Sequence, residues 1–533
     1  MQQVGKGFHR KSVDIFGMKG YASLKARSTG VSRLFLSMMN RISYPAKALF
    51  LGLVLAQIIA TFHVYGSNLC VHRNLSHLSK AGYLIIPNQK SLPLLLEWGP
   101  AFWGGLFFSL TVGAGLSILA IASAWIWVRL LRRRRKLLLL WVIPWIGLLF
   151  LLNRHGFHFV ANLYFILMPP LVFSVTVKWM PTHPIQASWS SSGTYALPFV
   201  IVALLWTTQW DSRLFLDLRD HLLLSNPLGL TINNFYYKYT LYPAEAFKSL
   251  DQKTLKSCSL GSFKRKSLRT ALERELLRQD YLMIDEEKAA DLTLREEGQE
   301  ILFDRGGKTL VQLPLKSFPH NFGETLREFS EQSDAFVFFR QFTFYSLLVA
   351  FPTTLYILVH ALLYFLSSLF LGARPSAWTA SIFCLALGLT SFLFLYLGKE
   401  PIMENKDVAE ALRSSRWQTR MAAMRTIDER QLEAPDLQMI HRMSRSTNIP
   451  ERYWLAKVLA LSRTPETYSS LLALLDDSSP NVVCMALFAL GQRGDSKAIR
   501  DILTWMESSD HWYCQWYAYR ALKALGWKQS KSQ

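Results

Sequence analysis

Hydrophobic positions along the chain collect in two stretches, 44–210 and 341–398, each followed by a long polar stretch. Within them seven apolar segments stand out, at 48–66, 101–128, 137–152, 160–177, 194–210, 341–371 and 378–398. A helix needs about 20 apolar residues to cross the hydrocarbon core of a bilayer, and roughly 18 without charge is the usual threshold. Segments 48–66, 101–128, 341–371 and 378–398 meet that length, whereas 137–152, 160–177 and 194–210 sit near the lower limit. The pattern predicts a multi-pass α-helical membrane protein of about seven spans, with a margin of one or two. Only a few residues join the last two segments, so they form a hairpin. That hairpin puts residues 211–340 and 399–533 on one side of the membrane, however many of the short segments cross.

The polar stretch 211–340 predicts a small inserted α+β domain. An amphipathic pattern runs through Ala244–Lys256 and a stronger one through Ser267–Arg278, after which the period changes toward two. Asp291–Arg295, Glu300–Asp304 and Lys308–Leu313 read as strands, and Arg305, Gly306 and Gly307 supply a hairpin turn. Residues 399–533 contain an internal repeat, with Ala423, Ala456, Ala486 and Ala521 recurring at spacings of 33, 30 and 35. The copies at Tyr453–Arg463, Val483–Arg493 and Tyr517–Gly526 each read as the second helix of a pair, and Pro450, Pro465, Pro480 and Asp495 stand at helix starts. The run Ala489-Leu-Gly-Gln-Arg-Gly-Asp495 resembles the Ala-Leu-Gly element and following Gly-Asp of HEAT-like repeats of the phycobilisome-lyase type. Ala524-Leu-Gly526 matches in part, and the copies at 423 and 456 lack the glycine. The resemblance implies an α-solenoid that offers an extended surface to a protein partner, and it carries no lyase activity with it.

The expected organisation is a basic cytoplasmic segment 1–43, a membrane region of about five spans 44–210, the α+β domain 211–340, the two-span hairpin 341–398 and the solenoid 399–533. Composition agrees, since 50% of residues are hydrophobic and 13% aromatic. The net charge of +21 admits a nucleic-acid reading until its location is considered. Residues 1–43 and the run Arg129–Lys136 supply about +13 of it, and both adjoin hydrophobic segments, where basic residues stay cytoplasmic. The charge therefore points to topology and contact with the lipid bilayer, with no nucleic-acid partner. The amino terminus is expected inside and the first span acts as a signal anchor, because no cleavage pattern follows a short apolar core. Counting crossings places 67–98 and 153–159 outside, and both polar domains outside with them, which in a bacterial inner membrane means the periplasm.

Candidate chemistry is sparse. His63, His155 and His158 are expected near the outer face with His72 and His77, and could hold zinc or serve as axial ligands to a haem. Histidines that only hydrogen-bond at the interface are commoner, so no cofactor is predicted outright. Gln57 and His360 lie deep in predicted spans, where each is expected to make one interhelical hydrogen bond. The five cysteines, Cys70, Cys258, Cys384, Cys484 and Cys514, are scattered without a CxxC pair. Two aromatic clusters stand out. Asn233–Glu245 holds five aromatics and reads either as a groove for a ligand or as a packing surface, while Trp505, Trp512, Trp516 and Tyr517 read as a partner-binding patch or as the filling of the last repeats. No Walker A loop, GxGxxG helix start or GxSxG elbow occurs, so nothing marks an enzyme.

Three functions remain open from the sequence. The first is an integral membrane scaffold or assembly factor whose solenoid and α+β domain bind a protein on one side of the membrane. The second is a transporter or lipid-handling protein regulated by its soluble domains, which a polar mid-membrane cavity would support. The third is a membrane redox subunit using the outer histidines.

Overall fold

The computed structural model describes residues 43–181, 189–261, 263–400, 403–433, 436–462 and 464–530. The basic segment predicted over residues 1–43 therefore lies outside the described residues except for its last position. Among the described residues six helices are long and apolar enough to cross a membrane: α1 (Tyr44–Lys80), α2 (Trp98–Arg129), α3 (Lys136–Asn153), α4 (Phe159–Trp179) and, after the α+β unit, a helix Val337–Ser367 and its hairpin partner Ala373–Gly398. The seventh expected segment is α5 (Trp189–Thr207), whose apolar part Tyr195–Thr207 is shorter. Sequence reading placed residues 67–98 in a loop, but α1 continues to Lys80 and the loop begins at Ala81. The extra turns are held by contacts the sequence does not display: Leu75 and Leu78 are buried, and His77 pairs with Glu286 at 3.1 Å.

The bundle closes on small residues. A Cβ on Gly105 would come within 3.1 Å of the Thr61 backbone nitrogen, and Gly52 and Gly113 face Ser117 and Ala56 with no room for a side chain. Helices approach this closely only where glycine, alanine and serine line the contact. His360 makes the one expected contact, with Nε2 3.2 Å from Ser381 Oγ, whereas Gln57 makes two interhelical bonds: the Ser109 hydroxyl donates to Oε1 at 2.6 Å and Nε2 donates to the Phe102 carbonyl at 2.7 Å.

Between α5 and the last two long helices, α6 (Pro227–Tyr239) precedes a five-stranded sheet of order β2-β1-β3-β4-β5. Its strands are β1 (Lys256–Leu260), β2 (Tyr281–Met283), β3 (Leu292–Glu297), β4 (Glu300–Arg305) and β5 (Lys308–Pro314). β1 is parallel to both neighbours, with α7 (Lys266–Arg278) crossing from β1 to β2, and β3 to β5 form the expected antiparallel meander. Gly306 and Gly307 take φ of +58° and +81° at the tight turn, which only residues without a Cβ adopt freely. The helix expected over Ala244–Lys256 is not formed. Helix ends at Glu245, and Lys256 opens β1, an inner strand of the sheet whose first four residues are all buried. A strand covered on both faces carries no alternation, so its period misled the reading. α8 (Phe322–Gln332) completes this unit's core with Phe322 and Phe329 against Phe303. The two long helices that follow are α9 (Val337–Ser367) and α10 (Ala373–Gly398).

The carboxy-terminal solenoid is made of α11 (Trp417–Arg430), α12 (Leu437–Ser444), α13 (Ile449–Val458), α14 (Pro465–Ala473), α15 (Pro480–Arg493), α16 (Ala498–Ser508) and α17 (Trp512–Ala524). α11, α13, α15 and α17 pack in succession as an inner row, and α12, α14 and α16 form the outer row. The three repeat copies read from the sequence fall on α13, α15 and α17, the second helices of their pairs. The Ala-Leu-Gly glycine has a packing reason: a Cβ on Gly491 would stand 2.8 Å from Ala521 Cα, so α15 and α17 meet only at a residue without a side chain. Arg420 pairs with buried Glu451 across α11 and α13, and one core runs from Val408 to Leu522.

Candidate interaction site

The inner row of the solenoid is covered by the chain's own residues 211–254. A short helix Leu214–Asp217 runs into a π-helical turn Leu218–Leu223. The wider turn aims Asp217 and Asp220, both buried, at the first repeats. Asp220 lies 2.7 Å from Arg219 and 3.4 Å from Arg425, and accepts from Trp454 Nε1–H at 2.8 Å. Asp217 pairs with Arg425 at 2.8 Å and with Lys399, just past α10, at 3.1 Å. The Arg219 guanidinium lies 3.8 Å over the Tyr453 ring. Two carboxylates and three cations therefore bind the end of α5, the end of α10 and the solenoid at one point. Buried charges persist only when paired and hydrogen-bonded in this way.

Asn226 then caps α6, accepting from the Gly229 amide at 2.8 Å, with Pro227 at the first helical position. One face of α6 lies on the solenoid. Asn233 and Asn481 exchange side-chain hydrogen bonds at 2.7 and 3.3 Å, both fully enclosed, and Tyr237 packs on Tyr513 with centroids 4.6 Å apart. Tyr242 meets Trp512 edge-on at 5.0 Å, and Trp516 Nε1–H donates to Thr254 at 2.8 Å. The two aromatic clusters that stood apart in the sequence are thus each other's partners. Of the four residues expected to bind a partner, Trp512 and Trp516 contact the tyrosine segment and its sequel. Trp505 donates to the Leu475 carbonyl at 3.3 Å, and Tyr517 packs among Tyr513 and Trp516. All four are partly buried inside the chain. The opposite face of α6 leaves Leu228, Ile232, Phe235 and Tyr236 exposed in a stripe at helical spacing.

The loop after α1 grips the last repeats. Asn88 Nδ2 donates to the Met506 and Ser509 carbonyls at 2.9 and 2.8 Å, while its backbone amide donates to Gln515 Oε1 at 2.9 Å. Ser91 Oγ donates to the Asp510 carbonyl, and the Gln529 amide bonds both backbone groups of Leu84 at 3.2 and 2.8 Å. Where α1, the sheet unit and α17 converge, a cavity of about 50 Å³ is lined by Asn74, Glu245, Lys253, Asp291 and Trp516. Burial raises the Asp291 carboxyl, but the Lys253 ammonium at 2.7 Å and the Ser257 amide outweigh it and hold it below the usual carboxylate range.

Of the three candidate metal ligands, His63 and His158 come together with ring centroids 5.8 Å apart, while His155 is exposed. His63 stacks on Phe108 at 5.2 Å, with Tyr164, Phe336 and Phe339 around it. Phe336 packs against both imidazoles, 4.4 Å from the His158 ring and 6.2 Å from the His63 ring. His158 Nδ1 accepts from the Ala161 amide at 3.4 Å as the cap of α4. Among the described residues no three His, Cys, Asp or Glu side chains are placed to hold one ion. The donors present thus fall short of the three or four that a zinc site uses.

Residues 437–523 match the family described as HEAT repeats. No curated protein and no solved structure matches the chain. HEAT repeats are protein-interaction scaffolds, and the match covers the outer and inner rows from α12 to α17. Sequence reading passed over Asp217, Asp220 and Asn88. The first two had a signal, since a pair of acids at i and i+3 inside the apolar run Leu214–Leu224 demands buried cations. Asn88 had none, because a single loop amide looks the same whether solvated or enclosed.

Proposed function

We propose that the chain is an integral membrane scaffold that mounts a HEAT-like solenoid rigidly on one face of the bilayer and offers the solenoid's outer row to a protein partner. The observation that carries this reading is the occupation of the inner row by residues 211–254. An α-solenoid that used its inner helices for an outside partner would have to release a buried charge network and two aromatic clusters first. Among the described residues the outer row carries no such cover. It is polar along α12, α14 and α16, and among the described residues Leu437, beside exposed His441 and Arg442, is the solenoid's one exposed large apolar side chain. Such a surface suits a protein interface with a polar rim. The likeness of Ala489–Asp495 to phycobilisome-lyase repeats adds a way of stacking helices and no chemistry.

Membrane placement is supported by the two ends of the bundle. The end away from the polar units carries Lys47, Arg129, Arg132–Lys136, Lys178 and Arg374, and the described residues there include no acid. That asymmetry suits a cytoplasmic end. The loop after α1 is bonded to the solenoid, and the loop before α4 touches Phe336, so both belong with the polar units on the opposite, outer side. Between the first of these loops and residue 211 lie four helices, an even number, so on this reading the short α5 crosses as well.

The depth of α6 supports lipid contact. Trp103 lies 5.8 Å from Phe235, and the Gly105 turn faces Thr61. Thr61 is fourteen residues beyond Lys47 on α1, about 21 Å at 1.5 Å per residue. A hydrocarbon core of about 30 Å starting near Lys47 would then place the exposed stripe of α6 in the outer leaflet, as an in-plane amphipathic helix. The cavity at the α1 junction and the cleft beside Tyr83, Arg269 and Asp285 both adjoin the sheet unit and are accounted for without transport.

The test is crosslinking and capture from membranes with the full chain and with Leu437→Asp/Arg442→Glu. Loss of a specific captured protein in the variant, with unchanged expression, is the expected result. Identical capture by both chains would refute the outer-row reading. Deleting the solenoid would be a poor test, since it would expose the apolar tyrosine segment and create contacts of its own. A compartment-specific reporter fused after Gln533 tests the side.

A further inference from the structure

The repeat spacing brings together two cysteines that are thirty residues apart in the chain. Cys484 lies in the second turn of α15 and Cys514 in the first turn of α17, with their sulfurs 3.6 Å apart and both thiols buried. The other three cysteines are elsewhere: Cys70 is exposed on α1, Cys258 lies in β1, and Cys384 lies in α10. A disulfide needs sulfurs about 2.05 Å apart, so a closure of roughly 1.5 Å separates this pair from a bond. The surroundings favour the reaction at one sulfur. His511 caps α17 by accepting the Cys514 amide at 3.4 Å, and Cys514 sits where the helix amino terminus stabilises a thiolate. The hydrogen bond from the Cys484 thiol, with His511 beside it, holds the Cys514 thiol down to about 6, and burial pushes Cys484 well up. His511 and the helix amino terminus are local to α17 and stay beside Cys514 when the repeats part, so Cys514 is the sulfur placed to attack first.

We propose that Cys484 and Cys514 form a disulfide that fastens the last two inner-row helices of the solenoid to each other. Those same helices hold the tyrosine segment, through Asn481 on α15 and Tyr513 on α17. The bond forms by exchange with an oxidised dithiol protein. The Cys514 thiolate attacks one sulfur of that protein's disulfide and releases its other sulfur as a thiolate, leaving a mixed disulfide. Cys484, losing its proton, then attacks Cys514 Sγ and expels the oxidant's remaining sulfur. The oxidant takes up the two electrons, and its two sulfurs take up the two protons that the cysteines lose. Because both thiols are buried in the closed repeats, exchange runs when the last repeat is open, before it first closes or during later transient openings. The inference rests on the proposed outer placement of the solenoid, where oxidising conditions let such bonds persist.

Two arms separate the pair from the placement. In the first, cells are quenched in acid and alkylated with N-ethylmaleimide in denaturant, and the digested chain is searched by mass spectrometry for a peptide linked through Cys484 and Cys514. In the second, the full chain purified in detergent is reduced and then treated with diamide. The linked peptide is expected in both arms, vanishing on reduction, while Cys70 is alkylated throughout. In Cys484→Ser, Cys514 becomes alkylatable without reductant. A linked peptide with diamide but free thiols in cells would uphold the pairing and overturn the outer placement. Alkylation of both cysteines in both arms would overturn the proposal itself.

Discussion

Asp220 holds the helical bundle and the solenoid together, and its replacement has a size that the structure fixes. The side chain is completely buried and faces Arg219 at 2.7 Å, Trp454 Nε1 at 2.8 Å and Arg425 at 3.4 Å. Asp220→Ala would leave Arg219 without a carboxylate, Arg425 with Asp217 alone and the Trp454 indole N–H without its acceptor. Breaking a buried ion pair by removing one partner costs about 3–5 kcal/mol. Because the network is where residues 211–225 meet α11 and α13, that loss falls on the opening reaction that frees those helices. At about 1.4 kcal/mol per tenfold, amide hydrogen exchange in Trp417–Arg430 and Ile449–Val458 should quicken by roughly a hundredfold or more, while the sheet unit keeps its protection. Asp220→Asn keeps an acceptor for Trp454 but removes the charge, so its effect should fall between. Exchange in α11 and α13 within about threefold of the parent chain in both variants would refute the claim that this network fastens the two parts.

Asn233→Ala should weaken the seating of α6 by about 1–3 kcal/mol, because Asn481 is left enclosed and unbonded, whereas Asn233→Leu with Asn481→Leu should recover part of that loss in thermal melts. Gly491→Val should force α15 and α17 apart at a cost of about 1–3 kcal/mol and lower the melting temperature, with a neutral result arguing against the tight approach at Ala521. For Asp291, whose carboxyl is held below its ordinary value by Lys253 and the Ser257 amide, the sign is that of a depressed acid. Its contribution is complete above the unfolded-state pKa near 4 and is lost as pH falls through the lower folded value, and Asp291→Asn should remove that acid sensitivity from the protection of β1 and β3. Asn88→Ala should open the 81–97 loop to proteolysis, since the two side-chain hydrogen bonds to the Met506 and Ser509 carbonyls are lost together.

The arrangement changes how the solenoid is to be understood. A stack of repeats on a flexible tether would search for partners freely. Here the stack is held at its beginning by Asp217 and Asp220, along its middle by Asn233, and at its end by Asn88 and Gln529. Residues from the loop after α1, from the segment before the sheet and from the carboxy-terminal end all converge on one inner row. A body fixed at three points transmits orientation, so a partner bound on the outer row would be held at a set angle to the bundle.

Periodicity and composition by themselves determined the long apolar helices, the α9–α10 hairpin, the β3–β5 meander and the repeat, because each is written in local spacing: continuous apolar runs, alternation around a Gly-Gly turn, and small residues about 33 apart. The same spacing failed at β1, where a strand buried on both faces loses its alternation, and at the end of α1, where helix persists because Leu75 and Leu78 are covered by distant residues. Only the tertiary structure decided what the aromatic clusters do. Tyr237 and Tyr513 are 276 positions apart and indistinguishable, in sequence, from exposed docking residues, yet they pack on each other with centroids 4.6 Å apart. A side chain's type sets how much it gains by being covered, and the folded chain alone sets whether a partner or its own backbone does the covering.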